Sequence, residues 1–420
     1  MRNTARADDS RPLLEMNPIA QRYVKLVLAV GQHDENYVDA YYGPEAWQAE
    51  AKAGKASLDK IKDEAATLIE QLRKLNLSKA EEIIQLRQQY LTKQLMALVT
   101  RVEMLKGKKL TFDQESKALY DAVAPTFPES HFKQVLSQLE RLLPGKEALP
   151  DRLDRFKRDF IIPKDKLDVV FKAAIEEARK RTKKYITLPE QESFQLEYVT
   201  GKSWSGYNWY KGNSNSLIQI NTDFPIYIDR AIDLACHEGY PGHHVYNVLL
   251  EQHLLKEKGW VEFSVYPLFS PQSLIAEGSA NFGIDVAFPG HQRIQFEREI
   301  LFPLAGIDPS KATQYYEVQA ILNQLSYAGN EAARRYLNAE INRDQAAEWL
   351  VKYTLITTER AHQRVRFFDQ YRSYVINYNL GQDLVRKYIE SRGGTSNQPD
   401  KRWSEFKILL SSPRLPSGLK

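Results

Sequence analysis

The 420-residue chain carries a single cysteine, Cys236. That excludes an intramolecular disulfide and any zinc site built from cysteines, and it fits a reducing compartment. No apolar run is long enough to span a bilayer. The N-terminal stretch MRNTARADDSRPLLEM lacks the apolar core of a signal peptide. The expectation for the chain as it stands is a cytoplasmic protein, with an export signal removed or missed upstream as the alternative. A surplus of either charge is also missing: 58 Lys and Arg face 54 Asp and Glu, a net +4. Without a block of like charge, neither nucleic acid nor an anionic membrane is expected as the main partner. The oligomeric state is not legible.

The chain is long enough for one large domain or two moderate ones, and 43% hydrophobic residues supply an ample core. Residues 12–142 read as successive amphipathic helices. In SLDKIKDEAATLIEQLRKLNL (57–77), Leu58, Ile61, Ala65, Leu68 and Leu72 fall on one stripe at helical spacing. Ser78 then fits the N-cap of a long helix. Prolines at 144, 150 and 163 punctuate a connector, and a helix follows at roughly 164–186. Residues 193–223 (SFQLEYVTGKSWSGYNWYKGNSNSLIQINTD) change texture, with aromatic and β-branched runs separated by Gly, Asn and Ser. They read as a small antiparallel sheet ending in SLIQIN. Helical periodicity resumes at about 226 and runs almost to 391. The predicted division is an N-terminal helical lobe (1–163) and a second region (164–420) holding the sheet and the chemistry.

That chemistry is announced by LACHEGYPGHHVYN, residues 234–247. Hydrolysing an amide at neutral pH needs an activated water and a stabilised oxyanion. Zinc on three protein ligands supplies both, and a glutamate beside the first ligand can carry the proton. The usual helical motif places two histidines four apart. Here His237 and Glu238 open the motif, but position 241 is proline and the next histidines are His243 and His244. In a regular helix His243 sits about 240° away, and His244 returns to the face of His237 only ~10 Å along the axis. Pro241 cannot bond back to the carbonyl of His237, and Gly242 permits unusual backbone angles. Two residues bulged out at Tyr240–Pro241–Gly242 would bring His243 to the second-ligand place; His244 is the alternative.

A third ligand is expected on a later helix, where SPQSLIAEGSANFGIDVAF offers Glu277 among Ala276, Gly278, Ser279 and Ala280, small enough for close helix approach. Asp233 could orient His237 through its other ring nitrogen or simply favour a helix N-terminus. Cys236 reads as a small buried residue. Arg360, Arg364 and Arg366 read as a solvated helix face, with binding of a substrate carboxylate as the other possibility.

HEGYPGHH followed by AEGSANFG resembles the bacterial "domain of unknown function 885" family, marked by His-Glu-x-x-Pro-Gly-His-His and a later Glu-Gly. The resemblance covers roughly residues 195–390 and includes Tyr378-Asn-Leu-Gly381, similar to the family's Tyr-x-x-Gly segment. The family is similar to a divergent branch of the gluzincins, zinc peptidases with a glutamate as third ligand. The resemblance implies a mainly α, multi-helix zincin-like architecture of gluzincin type, with the small antiparallel sheet preceding the metal-binding helix. It implies one Zn²⁺ held by His237, His243 and Glu277, Glu238 as general base, and Tyr378 as a candidate oxyanion donor. Ser279 stands where the family has tryptophan, and YRSYVIN where it has Pro-Gly-Gln-Ala. The expected activity is a zinc metallopeptidase acting on peptide or related amide bonds, with SLIQIN aligning an extended substrate. The rival readings are a non-catalytic helical binding protein that keeps a metal or polar pocket, and a metal-dependent hydrolase of non-peptide amides or esters.

Overall fold

The stripe of Ile61, Ala65, Leu68 and Leu72 is buried along helix Leu58–Lys74, whose first turn is capped by Ser57 accepting the Lys60 amide. This computed structural model describes residues 7–419, and side chains from Leu13 onward. Most of the N-terminal stretch read for a signal therefore lies outside the described side chains. Among the described residues no helix is long and apolar enough to cross a membrane. The long helix that packs on Leu58–Lys74 runs Glu82–Leu105. Ser78 does not cap it: Asn76 Oδ1 accepts both the amide and the hydroxyl of Ser78, holding it in a turn.

The chain is mainly helical, with short strands β1 (Val38–Tyr41), β2 (Ser193–Val199), β3 (Gly206–Gly212), β4 (Asn215–Asn221) and β5 (Val265–Pro267). β2, β3 and β4 form the expected small sheet ahead of the histidine segment. Its β3–β4 hairpin is antiparallel, closed by Asn213 and Ser214 in the left-handed region. β2 is the exception to antiparallel pairing. The strand order is β2-β4-β3, so β2 lies parallel to β4 across the 200–205 loop. β4 is therefore central and hydrogen-bonded on both edges, which corrects the expectation that SLIQIN aligns a substrate. β1 and β5 pair antiparallel, although both lie in stretches with helical periodicity. Four- and three-residue strands are too short to register against a helical pattern.

A continuous apolar core runs from Met16 to Leu419. Within it Arg87 forks onto Glu262 at 2.6 and 3.0 Å and donates to Asn17 at 2.8 Å, tying helices from the first hundred residues to the turn before β5. The helices that carry the later site residues, Pro271–Ala287 and Ile376–Ser391, cross where both backbones are bare. A Cβ on Gly278 would meet the Gly381 carbonyl carbon at 2.3 Å, and one on Gly381 would meet the Leu274 oxygen at 2.7 Å. Neither obstacle is a flexible side chain, so the helices must separate to accept even a methyl group. Gly381→Ala is expected to cost about 1–3 kcal/mol in denaturant unfolding. Gly329→Ala, in helix Ser326–Leu337 with nothing within 4 Å, is expected to be neutral or stabilising by up to about 1 kcal/mol. Equal effects of the two would show that the crossing is not tight.

Candidate active site

The histidine helix does not continue through its motif. Asp229–Leu234 is α-helical, and Ala235–Gly239 widens into a π-turn in which the Tyr240 amide reaches back to the Ala235 oxygen at 2.9 Å. The Tyr240–Pro241 peptide is cis, the Gly242 amide bonds the Cys236 oxygen at 2.9 Å, and a new helix begins at His243. The expected two-residue bulge is thus a break and a restart. Gly242 is demanded by contact: a Cβ there would lie 1.9 Å from the His237 oxygen and 2.3 Å from the Cys236 oxygen.

Across this break the Nε2 atoms of His237 and His243 stand 3.1 Å apart. Glu277 Oε2, from helix Pro271–Ala287, lies 3.2 Å from the first and 3.5 Å from the second. Tetrahedral zinc with bonds of about 2.0–2.1 Å has ligand–ligand edges of roughly 3.3–3.4 Å, so this triangle fits such an ion. Glu277 Oε2 is buried and has no hydrogen-bond donor among the described residues, as suits a carboxylate oxygen reserved for a cation. Burial acts to raise the Glu277 carboxyl, but the adjacent His243 and His237 outweigh it and hold it far below the usual range.

His244 is turned elsewhere. It is fully buried, with Nδ1 2.8 Å from Ser216 Oγ on β4 and Nε2 3.2 Å from Glu192 Oε2. Glu192 also accepts from the Tyr240 hydroxyl at 2.7 Å and from Arg179 at 2.5 Å. Burial opposes its charge, yet these bonds together hold the Glu192 carboxyl at about 2. One carboxylate thus grips both sides of the break, and β4 fixes the rotation of the restarted helix.

The groups that orient the triangle are not those expected. Asp233 pairs with Arg230 at 3.0 Å and Arg293 at 2.8 Å, because a half-buried carboxylate takes the cations packed around it. The partner of His237 is Asn281, whose Oδ1 lies 2.8 Å from Nδ1. Asn281 Nδ2 donates to the Tyr378 carbonyl at 3.0 Å, which fixes the amide orientation. Nδ1 of His237 therefore carries the proton, and the Nε2 lone pair points into the triangle. Glu277 Oε1 accepts from the Tyr374 hydroxyl at 2.6 Å. Asn281 is four residues beyond Glu277 and Tyr374 four before Tyr378, so helical spacing was the available signal for both.

Glu238 follows His237 in the π-turn and is buried beside β3; a Cβ on Gly206 would come within 2.9 Å of its Oε1. Burial pushes its carboxyl up to about 7. Asp39, on β1, is likewise pushed up by burial, to about 6, and accepts a hydrogen bond from the Tyr207 hydroxyl. No sequence signal linked Asp39 to this place. The Tyr378 ring stacks 6.4 Å from that of His237, and burial keeps its hydroxyl protonated. Cys236 is buried, and burial pushes its thiol up. Glu238, Tyr378 and the triangle line one cleft of about 1140 Å³, together with Gly206, Tyr207 and Asn208 of the edge strand β3.

No family model matches the chain, and no curated protein does. Among solved structures, a candidate lipoprotein from Colwellia psychrerythraea is similar with a TM-score of 0.53 at 14% identity, over 88% of this chain and 70% of that one. A likeness this distant speaks to fold alone. A candidate lipoprotein of unknown function from Shewanella oneidensis (TM-score 0.38, 15% identity, 89% and 75% covered) and an M32 carboxypeptidase from Deinococcus radiodurans (0.37, 12%, 95% and 90%) are too remote to carry an argument.

Asn281→Ala, which frees Nδ1 of His237, is expected to weaken any zinc binding by the triangle about 10–100-fold in a chelator competition. Unchanged affinity would mean that Asn281 does not set the ring.

Proposed function

We propose that the chain is a zinc-dependent hydrolase of peptide or related amide bonds, with His237, His243 and Glu277 as the metal ligands. The observation that carries the reading is the triangle of donor atoms, with edges of 3.1, 3.2 and 3.5 Å, standing in a large cleft beside the buried Glu238. Zinc supplies a Lewis acid for a carbonyl and lowers the pKa of water. The marks shared with the domain of unknown function 885 family, and through it with gluzincins, support the same assignment.

In this reading Glu238 takes a proton from water as the water oxygen bonds to the carbonyl carbon. It returns that proton to the amine nitrogen as the C–N bond breaks. A carboxyl near neutrality is suited to both transfers. The Tyr378 hydroxyl, kept protonated by burial, donates to the oxygen that becomes negative. Alignment of an extended substrate falls to β3, which is an edge strand and lines the cleft, in place of the central β4.

Glu238→Gln is the direct test, because it preserves size while removing the proton acceptor. The variant is expected to keep one equivalent of zinc and to lose about 10²–10⁴-fold in kcat on a peptide library. Full turnover in the variant would overturn the mechanism. Zinc binding without turnover of any peptide, amide or ester by the wild-type chain would favour a binding protein.

A further inference from the structure

Several cations that the preceding reading does not use line the cleft: Lys157 rests over the Tyr227 ring, 4.4 Å from its centre, and one arginine has no polar partner among the described residues of the cleft. Arg364, on helix Thr358–Tyr371, lines it, yet its guanidinium makes no hydrogen bond or ion pair among the described residues. The other arginines of the cleft are committed: Arg230 and Arg293 to Asp233, Arg386 to Asp285, and Arg360 to the Pro225 carbonyl at 3.1 Å. Arg366, two residues on, is exposed and outside the cleft. The three arginines that read alike in sequence therefore occupy three different environments.

Arg364 also lies on the reacting side of the cleft. Its guanidinium carbon sits 4.5 Å from the Phe367 ring centre, that ring is 6.4 Å from Tyr378, and Tyr378 is 6.4 Å from His237. An aromatic face beneath leaves the fork of N–H groups free to meet an anion in the cleft. A half-buried guanidinium without an acceptor has lost part of its hydration and gained no partner, so a carboxylate that forks onto it recovers both. An extended peptide spans roughly 3.5 Å per residue, which puts such a carboxylate within a few residues of the bond being cut.

We infer that Arg364 anchors a substrate carboxylate, so that the preferred substrates of this cleft are peptides bearing a carboxylate close to the scissile bond. The inference rests on the hydrolase reading for its substrate class. Two sources share the chemistry: the free C-terminus of a peptide and an acidic side chain near the bond.

The test is calorimetric binding to the full-length, zinc-loaded Glu238→Gln protein, with three probes. These are N-acetyl-Phe-Ala as the free acid, its C-terminal amide, and N-acetyl-Phe-Glu-amide. At least one acidic probe is expected to bind roughly tenfold or more tighter than the neutral amide. If that is the free acid, the anchor reads the chain terminus; if the glutamyl amide, it reads a side chain. Adding Arg364→Ala should abolish the preference while leaving the neutral amide unchanged, and adding Arg366→Ala should leave all three unchanged. Arg364→Lys, which keeps the charge without the fork, replaces Arg364→Ala if the latter does not fold, and should reduce the preference at least roughly threefold. Equal binding of the three probes, no binding at millimolar concentration, or a preference that survives loss of Arg364 would overturn the inference. Turnover by the wild-type enzyme is scored separately. Hydrolysis without preference for acids overturns the anchor alone, and acid preference without hydrolysis overturns the hydrolase reading alone.

Discussion

Gly242 pressed against the carbonyl oxygens of Cys236 and His237 is the contact on which the centre depends. A helix that stayed regular would carry His243 round to another face. The π-turn, the proline without an amide and the glycine without a side chain let the chain stop, fold back on its own carbonyls and restart within three residues. Six positions of sequence then separate two Nε2 atoms only 3.1 Å apart. The third donor depends on a second backbone contact of the same kind, Gly278 on Gly381, which brings the helix of Tyr378, with Tyr374 in the 3-10 turn just before it, against the helix of Glu277. Both contacts substitute proximity of main chain for side-chain packing, so neither tolerates a methyl group without movement.

Around these contacts several polar groups have an identifiable holder. Asn281 fixes the ring of His237 and is itself fixed by the Tyr378 carbonyl. Tyr374 holds one oxygen of Glu277 and leaves the other toward the histidines. Glu192 binds Tyr240 and His244 from either side of the break, and β4 contributes Ser216 to the same knot. The sheet therefore serves the site twice, its centre bracing the histidine helix and its edge lining the cleft. Rigid support of this kind is what a metal centre needs, since ligands left to find their own positions lose affinity.

Helical class, the strand-rich interval at 193–223 and the meeting of His237 with His243 were legible because each rests on local pattern: periodicity, texture, and a proline–glycine pair whose backbone chemistry is known. Glu277 was reached chiefly through the family resemblance. What escaped were relations fixed by tertiary contact. β1 and β5 are single short pairings inside helical stretches, and Asp39 reaches the cleft across some 170 residues of chain through Tyr207. Asp233 was the reasonable second partner for His237 by spacing, but it faces Arg230 and Arg293, and local sequence does not show which cations pack nearby. SLIQIN had the composition of a substrate-aligning strand; strand order, which composition does not encode, put it at the middle of the sheet. Arg360, Arg364 and Arg366 were indistinguishable until their neighbours were known.

The central claim is that two imidazoles and one carboxylate hold a single zinc ion. Zinc-edge X-ray absorption on protein purified without a histidine tag and loaded with one equivalent of zinc tests it most directly. The account predicts a tightly held ion with only nitrogen and oxygen neighbours at about 2.0–2.1 Å, two of them imidazole. Zinc that washes away, or a shell with sulfur at about 2.3 Å from Cys236, would contradict it.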